Sequence, residues 1–205
     1  MKKTNPRLIR FACLCIFIGS FLSGSRAQNF DINLLKNINP QYPDSKVWQG
    51  FSNTSGTIGA GLPLGMLAIS LIKKDPAMRS RSLEMVGSFV LTAVATEAVK
   101  TIINRDRPYI KYPLDVFPYD NSETGKSFPS GHTALSFATA TSLYLNYPKW
   151  YVAVPAFAWA TGVAYSRMYL GEHYPTDVLT GAAFGIAGAY TSHWLNKKLH
   201  ARKKK

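Results

Sequence analysis

Five apolar stretches separated by short polar loops constrain the fold of this chain more than any other feature of its sequence. They comprise Gly56–Ile72, Leu83–Ile103, Thr133–Asn146, Tyr151–Tyr165 and Val178–Leu195. Each is long enough for a helix, and no alternation of apolar and polar residues, the pattern of half-buried strands, competes with the helical pattern. The sequence therefore predicts an all-α fold, a helical bundle of five core helices.

Glycine and alanine are frequent in these stretches, which indicates closely packed helices. Gly61 and Gly65 are four residues apart, and so are Gly181, Gly185 and Ala189. This spacing places small residues on one helix face and lets membrane helices approach each other closely. Small residues also pack the helices of soluble proteins, so the spacing by itself does not distinguish the two environments.

The distribution of positive charge favours a transmembrane bundle. The formal net charge is +13, and short loops make consecutive helices antiparallel. The basic loop after the first stretch (Lys73 to Arg81), Lys149 after the third and the lysine-rich tail (Asn196 to Lys205) then lie on one side. This is the positive-inside pattern of cytoplasmic loops. The same concentration of charge at the ends of apolar stretches argues against nucleic-acid binding.

A soluble, periplasmic helical protein remains the alternative. The five stretches are short for membrane spans, and the mean hydropathy of −0.05 is low for a protein that crosses a membrane several times. The two possibilities differ in their need for detergent, because only a soluble protein is released by osmotic shock alone.

The N-terminus has the layout of a secretory signal peptide. A basic segment precedes the apolar stretch Phe11–Leu22, and small residues at Ser25 and Ala27 suit cleavage before Gln28. An uncleaved first transmembrane helix is the alternative. Both cysteines lie inside this segment, so the mature chain would contain no disulfide and no thiolate metal site.

These features divide the chain into four regions. Residues 1–27 form the signal peptide or membrane helix, residues 28–55 a periplasmic N-terminal segment, residues 56–196 the helical bundle and residues 197–205 a basic tail. The N-terminal segment is polar and mixed, with a possible short amphipathic helix at "DINLLKNI" and a turn at "NPQYPDS". We therefore expect a single folded domain.

The end of the bundle opposite the basic loops collects ionisable residues. Each lies where an apolar stretch begins or ends: Lys100, Arg107, His132, Arg167, His173 and Asp177. Three cations, two histidines and one carboxylate at one end form an anion site with acid–base and nucleophilic groups. Lysine and arginine neutralise a phosphoryl group, and Ser130 and Gly131 would add backbone N–H groups at a helix start. Asp177 would fix the tautomer of His173 and leave its other nitrogen free to attack.

Three motifs contain these residues. They are "KTIINRDRP" from Lys100, "PSGH" from Pro129 and "SRMYLGEHYPTD" from Ser166. Together they resemble, without gap or substitution, the signature of the type-2 phosphatidic acid phosphatase superfamily. That family shares its core with bacterial non-specific acid phosphatases and vanadium haloperoxidases. The resemblance covers roughly Leu83 to Leu195.

The resemblance implies a role for each motif residue. His173 would be the nucleophile and form a phosphohistidine, Asp177 would orient it, and His132 would protonate the leaving alkoxide and later activate water. The phosphoryl oxygens would be held by Lys100, Arg107, Ser130, Gly131 and Arg167. The resemblance implies no metal and no cofactor.

The sequence thus predicts an integral phosphatase of a bacterial inner membrane, with its site facing the periplasm and with the membrane and a lipid phosphate as partners. Its substrates would be phosphate monoesters or diphosphates of lipids. The family resemblance implies phosphatidate, phosphatidylglycerol phosphate, undecaprenyl diphosphate and lipid A phosphates as candidates. A soluble periplasmic acid phosphatase acting on small esters is the main alternative. A haloperoxidase is disfavoured because the chain is much shorter than those enzymes, and a non-catalytic membrane scaffold is disfavoured by the intact motifs.

Two further ionisable residues, Glu97 and His193, lie inside apolar stretches but outside the motifs. Because ionisable groups are costly in such surroundings, we expect each to make a buried polar contact or to occupy an interface.

Overall fold

The chain folds as a bundle of helices. The computed structural model describes residues 24–120 and 125–202. In chain order the helices are α1 (Gly24–Ile38), α2 (Lys46–Ile72), α3 (Pro76–Ile103), α4 (Pro108–Lys111), α5 (Gly131–Asn146), α6 (Trp150–Tyr169) and α7 (Pro175–Arg202). No strand occurs in either described range. The all-α prediction is confirmed, and the five predicted core helices are α2, α3, α5, α6 and α7.

The helices extend beyond the apolar stretches that predicted them. Helix α2 begins at Lys46 rather than Gly56, and its first turns bury polar side chains, among them Gln49, Ser52 and Ser55. Hydrophobicity alone therefore marks the helix start too late. The predicted region boundary at residues 55 and 56 falls inside α2.

The N-terminal segment contributes helix α1, which is longer than the short amphipathic helix predicted from Asp31 to Ile38. It begins at Gly24, so the predicted cleavage site before Gln28 lies in helical backbone. The apolar stretch Phe11–Leu22 lies outside the described residues. The signal peptide therefore stays a prediction.

Local signals in the sequence fix both ends of α3. The side chain of Asp75 accepts hydrogen bonds from the backbone N–H groups of Ala77 and Met78 at 2.9 and 3.0 Å, and Pro76 occupies the first helical position. The helix ends at Ile103, and the capping residue Asn104 has a φ of 52°, in the left-handed region that closes many helices. This turn directs the following residues toward the start of α7.

Helix α5 lies at the centre of the bundle and packs against α2, α3, α6 and α7. Its buried side chains are alanine, serine and threonine, so neighbouring helices pack close to its backbone. A Cβ added at Gly181 would lie 2.5 Å from the Ser130 carbonyl oxygen, and one added at Gly185 would overlap the Ala134 carbonyl oxygen. The glycine spacing in α7 therefore serves the predicted close approach.

The same spacing in α2 has no such effect. A Cβ at Gly61 or Gly65 would have no neighbour within 4 Å. Helix α2 instead approaches its neighbours at Gly59, where an added Cβ would lie 3.2 Å from the ring of Phe89 and 3.6 Å from Thr139 Oγ1. Residue spacing identifies small positions on a helix but not which of them face a partner.

Within residues 24–120 and 125–202, two helical segments have the length and composition to cross a membrane. They are Lys46–Ile72, which is α2, and Pro76–Lys111, which contains α3 and α4. Only 22% and 17% of their most apolar windows are buried in the chain, whereas the core helix of a soluble protein would be mostly buried. Their exposed apolar surface suits contact with lipid.

A buried polar cluster joins three helices at the end of the bundle that carries the basic loops. Glu84 of α3 is 5% exposed. Its carboxylate accepts hydrogen bonds at 2.8 Å from Asn146 Nδ2 and at 2.7 Å from Asn196 Nδ2, and it lies 2.8 Å from His193 Nδ1. His193 therefore makes the polar contact that we predicted. Glu97, by contrast, is exposed on α3.

We expect Gly185→Ala to lower the free energy of unfolding by about 1–3 kcal/mol, because the new methyl group forces α5 and α7 apart. Gly61→Ala is the matched control. Its methyl group meets no neighbour and alanine favours the helix, so stability should be unchanged or slightly higher. Thermal unfolding in detergent measures both variants. Equal effects of the two substitutions would contradict the packing described for α5 and α7.

Candidate active site

His173 lies in the tight turn that joins α6 to α7. The turn is closed by the backbone N–H groups of Glu172 and His173, which donate to the carbonyl oxygen of Arg167 at 3.0 and 3.3 Å. Gly171 has a φ of 75°, and a Cβ there would lie 2.6 Å from the carbonyl oxygen of Phe117, so this position requires glycine. The turn buries His173, whose exposed fraction is 1%.

The hydroxyl of Ser127 stands between His173 and Asp177. His173 Nδ1 is 3.7 Å from Asp177 Oδ2, beyond ordinary hydrogen-bond range. Ser127 Oγ donates a short hydrogen bond to Asp177 Oδ2 and lies 3.4 Å from His173 Nδ1. The structure thus brings the predicted pair together, with Ser127 as a bridging group.

Two arginines of the predicted phosphate site converge on one buried carboxylate. Arg107 Nη1 donates to Glu172 Oε2 at 2.8 Å, and Arg167 Nη2 lies 3.7 Å from the same oxygen. Arg107 Nε also donates to the carbonyl oxygen of Gly125 at 3.0 Å, and Arg167 Nη1 donates to Ser52 Oγ at 2.6 Å. Glu172 therefore balances part of the positive charge and holds the arginines in fixed directions.

The start of α5 adjoins the same turn. The backbone N–H of Ser130 donates to the carbonyl oxygen of Asp177 at 3.0 Å, so this N–H, predicted to point at an anion, is used to join α5 to α7. The Ser130 hydroxyl lies 3.0 Å from Thr133 Oγ1. A Cβ at Gly131 would lie 3.8 Å from Lys100 Nζ, which places this ammonium group beside the helix start. His132 follows and is half-buried.

Burial and the surrounding positive charges favour the neutral imidazole of His173. Burial is the main cause that holds the pKa of His173 well below its ordinary value. The positive charges of Arg167, Arg107 and Lys100, together with His132, lower this pKa further. All three predicted cations therefore act on the same imidazole and favour its neutral form. The neutral form is the one that can act as a nucleophile.

Four residues of this region were not predicted from the sequence: Ser127, Glu172, Arg105 and Asp31. Glu172 lies inside the third motif and Ser127 lies two residues before the second. Both are buried in the structure, which the sequence does not show. Arg105 lies inside the first motif and forms ion pairs with Asp177 and Asp31 at 2.6 and 2.8 Å. Asp31 belongs to α1, outside the predicted bundle of residues 56–196, and nothing in the sequence marks it.

The chemistry of the site is that of a phosphoryl group. The positive charges of Lys100, Arg107 and Arg167 act on the buried imidazole of His173 and lower its pKa. Such a cluster neutralises phosphoryl oxygens while a nitrogen attacks phosphorus. The comparison with known proteins agrees with this chemistry, because the model of the PAP2 superfamily matches residues 81–201.

The chain belongs to the PAP2 superfamily. An undecaprenyl-diphosphatase from Sulfolobus acidocaldarius is 30% identical over 181 residues, which cover 87% of this chain and 84% of that protein. A lipid A 4'-phosphatase from Bacteroides thetaiotaomicron is 38% identical over 78 residues, which cover 38% of this chain and 35% of that protein. Most of the matched relatives of this PAP2 protein are named phosphatases, and it hydrolyses phosphate esters.

The fold agrees with that of a solved member. The crystal structure of the first transmembrane PAP2 type phosphatidylglycerolphosphate phosphatase, from Bacillus subtilis, superposes with a TM-score of 0.75. The match covers 93% of this chain and 96% of the other, at 22% sequence identity. The helical bundle is therefore that of the membrane PAP2 proteins.

Glu172→Gln should tighten the binding of orthovanadate, a phosphate analogue, by about tenfold, or ~1.4 kcal/mol. The substitution keeps the shape of the side chain but removes the negative charge that competes with an anion for Arg107 and Arg167. Inhibition constants from initial rates, or the rise in melting temperature on adding vanadate, measure the change. Glu97→Gln, on the exposed surface of α3, is the control. Weaker binding to Glu172→Gln would show that Glu172 mainly orients the arginines.

Proposed function

We propose that this PAP2 protein removes phosphate from monoesters or diphosphates of membrane lipids through a phosphohistidine at His173. The observation that carries the proposal is the buried, neutral imidazole of His173 among the positive charges of Lys100, Arg107 and Arg167. A phosphoryl group bound to these cations would lie against the imidazole. The nitrogen would then attack phosphorus without a preceding deprotonation.

The orientation of the ring decides which nitrogen attacks. Nδ1 faces Ser127 and Asp177, so Nε2 is the nitrogen that faces the phosphoryl group. As the Nε2–P bond forms and the P–O bond to the lipid breaks, the Nδ1 proton is stabilised by the carboxylate of Asp177 through the Ser127 hydroxyl. The electron pair of the broken bond goes to the leaving oxygen, and His132 donates a proton to it.

Water completes the cycle. His132, now neutral, takes a proton from a water molecule, whose oxygen attacks the phosphohistidine. The N–P bond breaks, inorganic phosphate forms and His173 returns to its neutral state. Throughout, the lysine and the two arginines offset the charge on the phosphoryl oxygens. A Cβ added at Gly131 would lie 3.8 Å from Lys100 Nζ, which supports a position for the first turn of α5 beside these oxygens.

We place the site at the outer face of the membrane. The turn with His173 and the start of α5 lie at the end of the bundle opposite the basic loops after α2 and α5. Basic loops face the cytoplasm in most membrane proteins. In a bacterial inner membrane this orientation directs the site toward the periplasm, where the headgroups of outer-leaflet lipids are accessible.

A lipid substrate is favoured over a small soluble ester by two observations. The named activities of the relatives include undecaprenyl-diphosphatase and lipid A 4'-phosphatase. The exposed apolar faces of α2 and α3 would hold the protein in the bilayer beside such substrates. A soluble periplasmic acid phosphatase would leave those faces in water, at a large cost in hydrophobic free energy.

His173→Ala should reduce phosphate release by at least about a thousandfold, since the nucleophile is lost. The assay compares purified wild type and variant in detergent, on a panel containing a prenyl diphosphate, a phosphatidate, a lipid A phosphate and a soluble phosphomonoester. Glu97→Gln again serves as the control and should retain wild-type rates. If wild type releases no phosphate from any lipid, or if active protein is freed by osmotic shock alone, the proposed function is wrong.

The acidic limb of the kcat/KM profile should lie below pH ~6.5, the ordinary pKa of histidine. The pKa of His173 is lowered by burial and by neighbouring cations, so the imidazole stays neutral in mildly acidic solution. Activity is then lost only as pH falls through this lowered pKa. Initial rates from pH 4 to 9 on a lipid phosphate test the expectation. An acidic limb above the ordinary histidine value would contradict a neutral nucleophile in the free enzyme.

A further inference from the structure

The guanidinium of Arg105 connects two carboxylates beside the active site. Its Nη1 lies 2.6 Å from Asp177 Oδ1, and its Nη2 lies 2.8 Å from Asp31 Oδ2. Nη1 also donates to Thr176 Oγ1 at 2.8 Å. The guanidinium carbon lies 3.8 Å from the centroid of the Tyr174 ring, which adds a cation–π contact. Both of its Nη atoms and one face of the guanidinium are thus engaged.

Asp31 ties helix α1 to the first turn of α7. It is 2% exposed, and its Oδ1 accepts a hydrogen bond from the backbone N–H of Thr176 at 3.0 Å. Its Oδ2 accepts from Thr176 Oγ1 and from Arg105. A carboxylate from a distant part of the sequence therefore caps the helix on which Asp177 lies.

These contacts determine how the carboxylate of Asp177 is held. Asp177 has no exposed surface. Its Oδ1 accepts a hydrogen bond from Arg105. Its Oδ2 accepts one from the hydroxyl of Ser127 and another, at 3.0 Å, from the backbone N–H of Tyr174. The carboxylate cannot rotate without breaking an ion pair, so Oδ2 remains on the side of Ser127 and His173.

We propose that Arg105 and Asp31 are positioning residues for the reaction of His173, acting through Asp177. Burial raises the pKa of Asp177, and Arg105 opposes this by favouring the ionised form. The same guanidinium fixes Oδ2 of Asp177 toward Ser127 and the imidazole. Asp31 shares the guanidinium and so limits how strongly its charge is drawn to Asp177, which leaves that carboxylate able to stabilise the proton on His173. Helix α1 is then a working part of the active site. This inference rests on the proposed function, because Asp177 matters only if His173 reacts.

Charge removal at the two positions should shift the pH profile in opposite directions. The ionisable groups facing Asp177 are Arg105, Tyr174 and His173, and Asp31 acts on it through Arg105. Those facing His173 are Arg167, Arg107, Lys100 and His132. Loss of the Arg105 cation makes protonation of Asp177 and His173 easier, so the acidic limb moves to higher pH. Loss of the Asp31 anion makes protonation harder, so the limb moves to lower pH.

The experiment measures kcat, KM and the pH profile of purified full-length variants in detergent, on the lipid phosphate that wild type hydrolyses fastest. Arg105→Met should lower kcat about 10–100-fold with KM within about twofold, because Arg105 contacts Asp177 and not the phosphoryl group. Arg105→Lys should recover part of kcat, since it restores the charge but not the two-sided fork. Asp31→Asn keeps an oxygen for the Thr176 N–H and should lower kcat less, with the opposite pH shift.

Asp115→Asn is the matched control. Asp115 pairs with Lys36 of α1 at 2.5 Å on the exposed surface, so the variant also removes an ion pair that holds α1 but does not touch Asp177. It should retain the wild-type kcat and acidic limb. A control that behaved like Asp31→Asn would show that α1 acts only by docking, and would overturn the proposal.

The outcomes separate this inference from the function it rests on. If wild type is active and His173→Ala is inactive, but Arg105→Met and Asp31→Asn keep the wild-type acidic limb, the positioning role is wrong and the phosphatase proposal stands. If wild type releases no phosphate, both fall. Should Arg105→Met fail to fold, as judged by thermal unfolding, Arg105→Lys and Asp31→Asn carry the test. Wild-type kcat in the first and an unshifted limb in the second would overturn the proposal.

Discussion

The direct packing of α7 against α5 is the constraint on which the rest of the structure depends. Gly181 and Gly185 let the α7 backbone lie against the carbonyl groups of α5. At that distance the backbone N–H of Ser130 reaches the carbonyl oxygen of Asp177. Side chains from the second and third motifs can therefore meet in one site. Bulky residues between these helices would move the second motif away from the third without changing any catalytic side chain.

The concentration of charge at the site end is made tolerable by pairing. Arg107 and Arg167 are almost fully buried, and they share Glu172. Removal of either the arginines or Glu172 alone would leave the remaining charge unpaired in the protein interior, which solvates charge poorly. The cations then lower the pKa of His173 without making the folded state untenable. A carboxylate beside the nucleophile thus belongs to the binding site even though it repels the substrate.

The sequence was sufficient to predict the helices and the convergence of the three motifs, because both depend on local patterns. Apolar stretches mark helix interiors, and short loops force neighbouring helices to alternate in direction. What the sequence could not show is pairing between distant residues. Asp31 and Arg105 are 74 positions apart, and the residues next to them in the sequence do not indicate that they form an ion pair. The start of α2 was missed for a related reason, because its buried face is polar.

The contacts of Ser127 extend the same lesson to the motifs themselves. Asp177 and His173 were predicted to interact directly, yet their side chains stop 3.7 Å apart and a hydroxyl occupies the space beside both. A motif states which groups are present, whereas their exact relation depends on a residue from another segment. The backbone N–H of Ser127 donates to the Arg105 carbonyl oxygen at 2.8 Å, so the first motif places the residue that completes the third.

The contacts of Asn39 show that the structural support of the site extends beyond the segment that matches the family. Its side-chain amide donates to the carbonyl oxygens of Phe117 and Tyr169 and accepts a hydrogen bond from the Phe117 N–H. These bonds connect the loop before α5 to the end of α6. The segment that defines the family, residues 81–201, includes the reacting groups but neither Asn39 nor the Ser52 hydroxyl that steadies Arg167. A chimaera that contained only that segment would include the reacting side chains but lack the contacts from Asn39 and Ser52 that hold the surrounding loops and Arg167 in place.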